Sequence, residues 1–236
     1  MATLISTIIT NTRTARLRET SASFWSDAEL LVHALSGISE AWRRVVDLHQ
    51  EHYLTIDETN VTLAAAAASL SGIPSTCFRI VSIEARDLTT SSANFGLEFF
   101  PRDWNHPDMT NARRQANIDP TGRPIFYTVV GQGPPVGTMT VRVAPKTTSA
   151  VNLTLAYIPT HGADGSDDNN PIPGESDLAI EAWISAHALA KERKLSTPDA
   201  EFMGLFESQM QKILTALTPR QEQELETVEG MFEGFY

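Results

Sequence analysis

Residues 23–55 read SFWSDAELLVHALSGISEAWRRVVDLHQEHYLT, and this stretch decides the architecture because it specifies a long amphipathic helix together with its start. Ser26 is a good N-cap, Glu29 three residues later completes a capping box, and Trp25 with Leu30 supplies a hydrophobic staple. Leu31, Ala34, Leu35, Ile38, Trp42, Val45 and Val46 then recur at spacings of three and four, while Glu29, Glu40, Arg43, Arg44, Asp47 and Glu51 take most of the remaining surface. Such a face requires a partner. The partners on offer are an N-terminal helix and a C-terminal helical pair, so the two ends of the chain are expected to come together around whatever lies between.

The 236 residues suffice for one sizeable core or two small ones, and 42% hydrophobic with 20% charged residues is ordinary for a globular protein. The net charge of −11, with only four lysines beside fourteen arginines, argues against a general nucleic-acid binder, which would carry a basic stripe. Acidity is local: residues 161–177 hold five acids and no Lys or Arg, and residues 218–236 hold five acids and Arg220, so nine of the eleven net charges lie in these two segments. Cys77 stands alone, which excludes an intrachain disulfide framework. No run approaches the roughly 20 apolar residues of a membrane span, and the N-terminus lacks the pattern of a signal peptide. These features predict a soluble protein made inside the cell, with no membrane partner.

Along the chain, Leu4, Ile5, Ile8, Ile9, Thr12, Ala15 and Arg16 keep helical spacing and predict a first helix running to about Arg18. Residues 61–71 (VTLAAAAASLS) read as irregular or strand, because flanking Thr and Ser and the following Gly72-Ile73-Pro74 offset the alanines. Strands are expected at 77–85, 124–130, 138–143 and 151–158. In the last two, Met139, Val141, Val143 and then Val151, Leu153, Leu155, Tyr157 alternate with polar or small residues across the turn-like PKTTS, which predicts a hairpin with one buried face. The long segment 86–123 contains NFGLEFFPRDW, a short helix across 107–117 and the turn Asp119-Pro120-Thr121-Gly122, and it should be ordered by contacts or be functional. A helix over 177–194 is expected to pack with Leu178, Trp183, Ala186 and Leu189. Thr197 as N-cap and Pro198 at the first helical position predict another, with Asp199 and Glu201 in its first turn and the stripe Phe202, Leu205, Phe206, Met210, Ile213, Leu214, Leu217.

The fold class expected is therefore α+β: a bundle of N- and C-terminal helices (1–60 and 161–217) with an inserted antiparallel β domain (61–160) and an acidic tail (218–236). Trp25, Trp42, Trp183, Phe202 and Phe206 are the expected packing anchors of the bundle and of its contacts between subunits.

Several sites of chemistry fail on inspection. His49 and His52 with Glu51 between lack a third metal ligand and read as a solvated helix face. Residues 164–175 begin with Asp and end with Glu as a calcium loop does, but the sixth position is Asn169 where that loop needs Gly, and Pro171 and Pro173 interrupt it. It reads as an acidic linker whose Pro173 and Glu175 set up the next helix, a cation bridging subunits being the alternative. The glycines of 131–137 lack the Lys-Ser/Thr ending of a phosphate loop and read as a turn between strands. No G-x-S-x-G elbow activates a serine, and Cys77 on an apolar strand reads as buried and inert. Arg43-Arg44 and Arg113-Arg114 read as surface ion pairs, or as contacts to an acidic neighbouring subunit or to passing DNA. The expectation is no enzyme, no cofactor and no metal.

In order along the chain, FWSDAELLVHALSGISEAWRRVVD, GIPSTCFRIVSIEARD, TGRPIFYTVVG, TMTVRVAP, LTLAYIPT and DDNNPIPGE resemble the head-to-tail connector (adaptor or neck) proteins of tailed bacteriophages. The resemblance implies a structural virion protein at the head–tail interface: a twelve-fold ring under the portal protein that extends the DNA channel to a downstream neck or tail protein, DNA passing through without sequence-specific binding. The helices would build the ring and the β layer would face outward or towards the tail. A different neck or tail-completion ring, or a β-sheet binding module with accessory helices, are the alternatives. In the tail, Met231, Phe232, Phe235 and Tyr236 cluster on an acidic tether, and with Glu226 and Glu229 they are expected to dock on the portal.

Overall fold

The computed structural model describes residues 3–19, 24–86, 97–119, 123–131, 139–172 and 176–217. The chain divides into two compact units, one formed by residues 1–50 together with 163–236 and the other by residues 51–162. The fold is α+β, with the long helices in the first unit and one antiparallel and one mixed sheet, with a short helix, in the second.

In the helical unit, α1 (Ile5–Asn11) continues as a π-helical turn at Thr12–Arg16, α2 spans Asp27–Leu48, and α4 (Asp177–Glu192) and α5 (Ala200–Leu217) follow the second unit. The π turn shortens the regular helix expected to reach Arg18. It buries Arg13, whose guanidinium donates to the carbonyl of Trp25 at 2.9 Å and pairs with Glu19 at 2.7 Å and Asp27 at 2.5 Å, which fixes α1 to the start of α2. That start lies where the sequence predicts it, since Ser26 Oγ accepts from the Glu29 amide at 3.2 Å. The carboxylate of Glu29 pairs instead with Lys191 of α4 at 2.7 Å, and Trp25 Nε1 donates to the Ala188 carbonyl at 3.1 Å. The predicted stripe of α2 is its packed side: Ala34, Ile38, Trp42, Val45 and Val46 are buried, joined by Leu30, Gly37 and Ala41, with Leu31 and Leu35 at the margin.

Helix α4 is the centre of the bundle, packing against α1, α2 and α5, and is accordingly buried on most of its surface. Leu178, expected to pack, is 42% exposed, because the inward positions of the first turn are Ala179 and Ile180. Helix α5 begins later than predicted. Asp199, not Thr197, caps it: Asp199 Oδ1 accepts from the amides of Glu201 (3.1 Å) and Phe202 (3.4 Å), its own amide donates to the Ala186 carbonyl, and its other oxygen pairs with Arg193. Of the α5 stripe, Phe206, Met210 and Ile213 are buried while Phe202, Leu205, Leu214 and Leu217 are half-covered.

The second unit contains β1 (Thr55–Asp57), β2 (Thr62–Leu63), β3 (Cys77–Ala85), β4 (Glu98–Pro101), α3 (Pro107–Arg114), β5 (Pro124–Val130), β6 (Thr140–Ala144) and β7 (Val151–Pro159). The expected hairpin between the last two strands is not formed. Strand β6 pairs antiparallel with β5, whereas β7 pairs antiparallel with β1, β2 and β3 in another sheet. Alternation correctly marked the buried faces, since Val141, Val143, Val151, Leu153 and Leu155 are all buried, but it says nothing of partners. The connecting PKTTS does not turn back: buried Thr147 bridges to Ile118 and its Oγ1 donates to the Ser149 carbonyl, so the loop carries the chain from one sheet to the other. Strand β4, unanticipated, lies parallel to β5.

Residues 61–71 join the sheets, as a strand and irregular segment rather than the helix their alanines favour. Thr62 pairs with Asn152 of β7, and Ala68–Leu70 run beside β6, with Leu70 N donating to Val141 O and Val143 N to Ala68 O, both at 3.0 Å. Gly72 closes this segment at φ +79°, its Cα so near the Asn60 carbonyl that no side chain fits. The two sheets enclose one core of Val61, Leu63, Ile83, Ile125, Tyr127, Val141, Leu153 and neighbours.

Candidate functional site

Three places concentrate chemistry-bearing side chains. The first is a column of rings along the α2–α4–α5 contact of the helical unit. His33 and His187 stack with centroids 5.3 Å apart, Trp183 lies 4.9 Å from His187 and 4.9 Å edge-on to Phe206, and the Arg44 guanidinium sits 5.2 Å over Phe206. Arg44 also pairs with Glu40 at 2.8 Å and Glu207 at 2.5 Å, so these hydrogen bonds push its already high pKa further up. Burial holds both histidines below their ordinary range, and His187 Nε2 and Trp183 Nε1 are buried without a hydrogen-bond partner. Stacked imidazoles in a packed seam are structural in kind: among the described residues no group of three or more His, Cys, Asp or Glu that could hold a metal occurs. Trp183, Phe206 and Trp42 thus stand in the packing of the bundle, Trp42 only 3% exposed, with Trp25 tied to α4 and Phe202 half-covered.

The second place is the acidic segment 161–172. Ser166 O and Asp168 O accept from the amides of Ser6 (2.8 Å) and Ile5 (3.0 Å), and Asn170 N donates to Thr3 O (2.8 Å), so the segment lies against the beginning of α1 and satisfies its first free amides. It is not a cation loop in form: Asp168 Oδ2 accepts from the amides of Asp164 and Gly165, both at 2.8 Å, and those bonds hold its carboxyl below the usual carboxylate range. Buried Asn170 donates to Ser176 and Asp177 at 2.9 Å each, thereby ordering the start of α4; Pro173 and Glu175, expected to do so, lie outside the described residues.

The third is the edge of the β unit around β4 and α3. A concavity of about 510 Å³ is lined by Pro101, Arg102, Asp103, His106, Tyr127, Thr128 and Val129. Beside it, Trp104 is 42% exposed with the Arg113 guanidinium 4.1 Å over its ring, and the exposed Arg114 follows on the same helix. Helix α3 starts at Pro107 with His106 Nδ1 accepting from the Asp108 amide, which closes the turn bearing Trp104. A smaller hollow of about 450 Å³ beside Asp57 is spent locally: amides and side chains of Thr59 and Asn60 surround that carboxylate, and these bonds, led by the Thr59 amide, lower its pKa to about 2.

His49, read as solvated, is buried, while His52 is exposed. Arg43 and Arg44 do form ion pairs, whereas Arg113 stacks on Trp104 rather than pairing. Cys77 is buried, its Sγ 3.8 Å from Met139 Sδ, and burial pushes the thiol up to about 11. Asp119 is described, but 120–122 and most of the 131–137 glycine stretch lie outside the described residues; β5 and β6, which flank that stretch, are paired. The tail candidates Glu226, Glu229, Met231, Phe232, Phe235 and Tyr236 also lie outside them. The sequence did not single out Arg13 or the His33–His187 pair, and of the Trp104–Arg113 shelf it marked only the arginine pair; the further legible signal was a Trp nine residues before that pair on a short predicted helix.

No protein-family model matches this chain, and no curated protein matches it. No helix among the described residues is long and apolar enough to cross a membrane.

Proposed function

We propose that this protein is a structural connector of a tailed bacteriophage virion, a ring, twelve-fold by the resemblance, that docks under the portal and extends the DNA channel towards a downstream neck or tail protein. The observation that carries the reading is the incompletely covered helical unit. Phe24 (50%), Val32 (65%) and Leu48 (64%) are exposed, and four of seven residues in the α5 stripe are only half-covered. A helix face of this kind is completed by neighbouring subunits, and a head-to-tail contact repeated around an axis closes into a ring.

The charge distribution accords with that role. Residues 51–162 hold nine acids and eight bases, so almost the whole net charge of −11 belongs to the helical unit. Multiplied around a ring, it makes a body that repels the phosphate backbone and lets DNA pass without holding it. The tail, with its aromatics and glutamates, is assigned to the portal. Electron microscopy of the purified protein, alone and mixed with portal, tests the reading: rings or portal-capping complexes are the expected result, and dispersed monomers in both samples would overturn it.

A further inference from the structure

A ring of subunits that each carry −11 faces strong mutual repulsion, so its interfaces must bring unlike charges together locally. The cations for this task are those without a carboxylate already bound. Arg43, Arg44, Arg13, Arg193 and Lys191 are committed to acids of their own chain. Arg113 and Arg114 are not: among the described residues neither has a carboxylate within ion-pair distance, both are exposed, and Arg113 is held in place by Trp104 beneath it. A guanidinium stacked on an indole keeps its donor edges free for a second, coplanar carboxylate contact, and Trp104 adds apolar area at the same spot.

The matching anions are on the page as well. Asp164 and Asp167 are exposed, and neither pairs with a cation among the described residues. Their backbone is held still, since Asp168 closes the turn beneath them and Ser166 and Asp168 are bonded to α1. A tied loop presenting two carboxylates without cations, and a shelf whose Arg113 is seated on Trp104 and on Thr110 at 3.3 Å beside Arg114, lose little entropy on meeting. The shelf and the loop are different surfaces of the chain, so the contact repeated head to tail from copy to copy propagates around a ring.

We infer that the Trp104–Arg113–Arg114 shelf of one copy receives the Asp164–Asp167 loop of the next copy, making it a subunit-to-subunit docking site. The inference rests on the ring reading above and adds the surfaces that meet.

The experiment is a charge swap on the full chain, read by light scattering and electron microscopy. Arg113→Glu with Arg114→Glu should weaken self-association at least tenfold, Asp164→Arg with Asp167→Arg should do the same, and the four changes together should restore it. All four sites are exposed; circular dichroism spectra matching the wild type will show that loss of association is not loss of folding. Arg114→Cys with Asp164→Cys should crosslink copies into a covalent ladder under oxidising conditions, buried Cys77 staying out of reach. Rings that form normally with Arg113 and Arg114 reversed overturn the docking site and leave the connector reading intact. Dimers that never close into rings yet respond to the swap support the docking site and overturn the connector reading. A monomer at every concentration overturns both, and a shelf that binds duplex DNA but yields no crosslink assigns it to nucleic acid instead.

Discussion

Gly37 of α2 lies directly beneath the indole of Trp183: a Cβ added there would sit 2.7 Å from Cδ1 and 2.8 Å from Cγ of that ring. Two effects of Gly37→Ala therefore oppose each other. Alanine gains about 1 kcal/mol of helix propensity, while forcing a packed ring aside typically costs about 1–3 kcal/mol. Trp183 is wedged between His187 and Phe206, so the clash should win and the variant should unfold at lower denaturant. A more stable variant would mean that the two helices separate without cost.

The stacked imidazoles make stability depend on pH. Burial lowers the pKa of both His33 and His187; Glu29 raises and Lys191 lowers that of His33, and His33 lowers that of His187. Folded histidines resist protonation while unfolded ones titrate near 6.5, so the unfolded state takes up protons first as pH falls. Their contribution is whole above that value and is lost as pH drops through it towards the lower folded values. Melting temperatures between pH 8 and 5 should fall on acidification, and a His33→Gln, His187→Gln double variant should show a shallower slope. An unchanged slope would sink the assignment.

Trp42 is 3% exposed at the centre of the α2 stripe, so Trp42→Ala should cost about 3–5 kcal/mol in chemical denaturation. An unchanged midpoint would contradict its burial.

Arg13, buried at the π turn with Glu19, is expected to matter through what its removal strands. Arg13→Met leaves the Glu19 carboxylate buried and deprived of this cation, a loss of about 3 kcal/mol. Adding Glu19→Gln should recover part of it. Additive losses in the double variant would show that the pair is uncoupled.

Deleting residues 219–236 should abolish capping of portal rings, as the assignment of Phe232, Phe235 and Tyr236 requires. Undiminished affinity of the truncated chain would move docking to the helical body.

Much of this architecture was legible because it is local. The cap at Ser26, the stripe of α2 and the alternation of Val151 to Tyr157 each follow from neighbours within a few residues. What escaped depends on distance along the chain. Pairing of β7 with β3 and β1, rather than with β6, is decided by a shared core that no alternation encodes. Contact of Ser166 and Asp168 with Ser6 and Ile5 runs through backbone groups, which every residue carries. Strand β4 is four residues long and ends in proline, too short to show a period. The arginines of α3 were visible as a pair, but that no carboxylate among the described residues pairs with them is a property only of the folded surface.

The pairing of Thr55 with Tyr157 places the first and last strands of residues 51–162 side by side, so the polypeptide enters and leaves this unit at neighbouring points. An excursion of more than a hundred residues thereby costs the remainder of the chain only a short gap to bridge. Such a layout is a cassette: the segment can be exchanged, lengthened or replaced by a brief linker while the helices keep their mates. It lets the two parts of the chain vary separately, each keeping its own core.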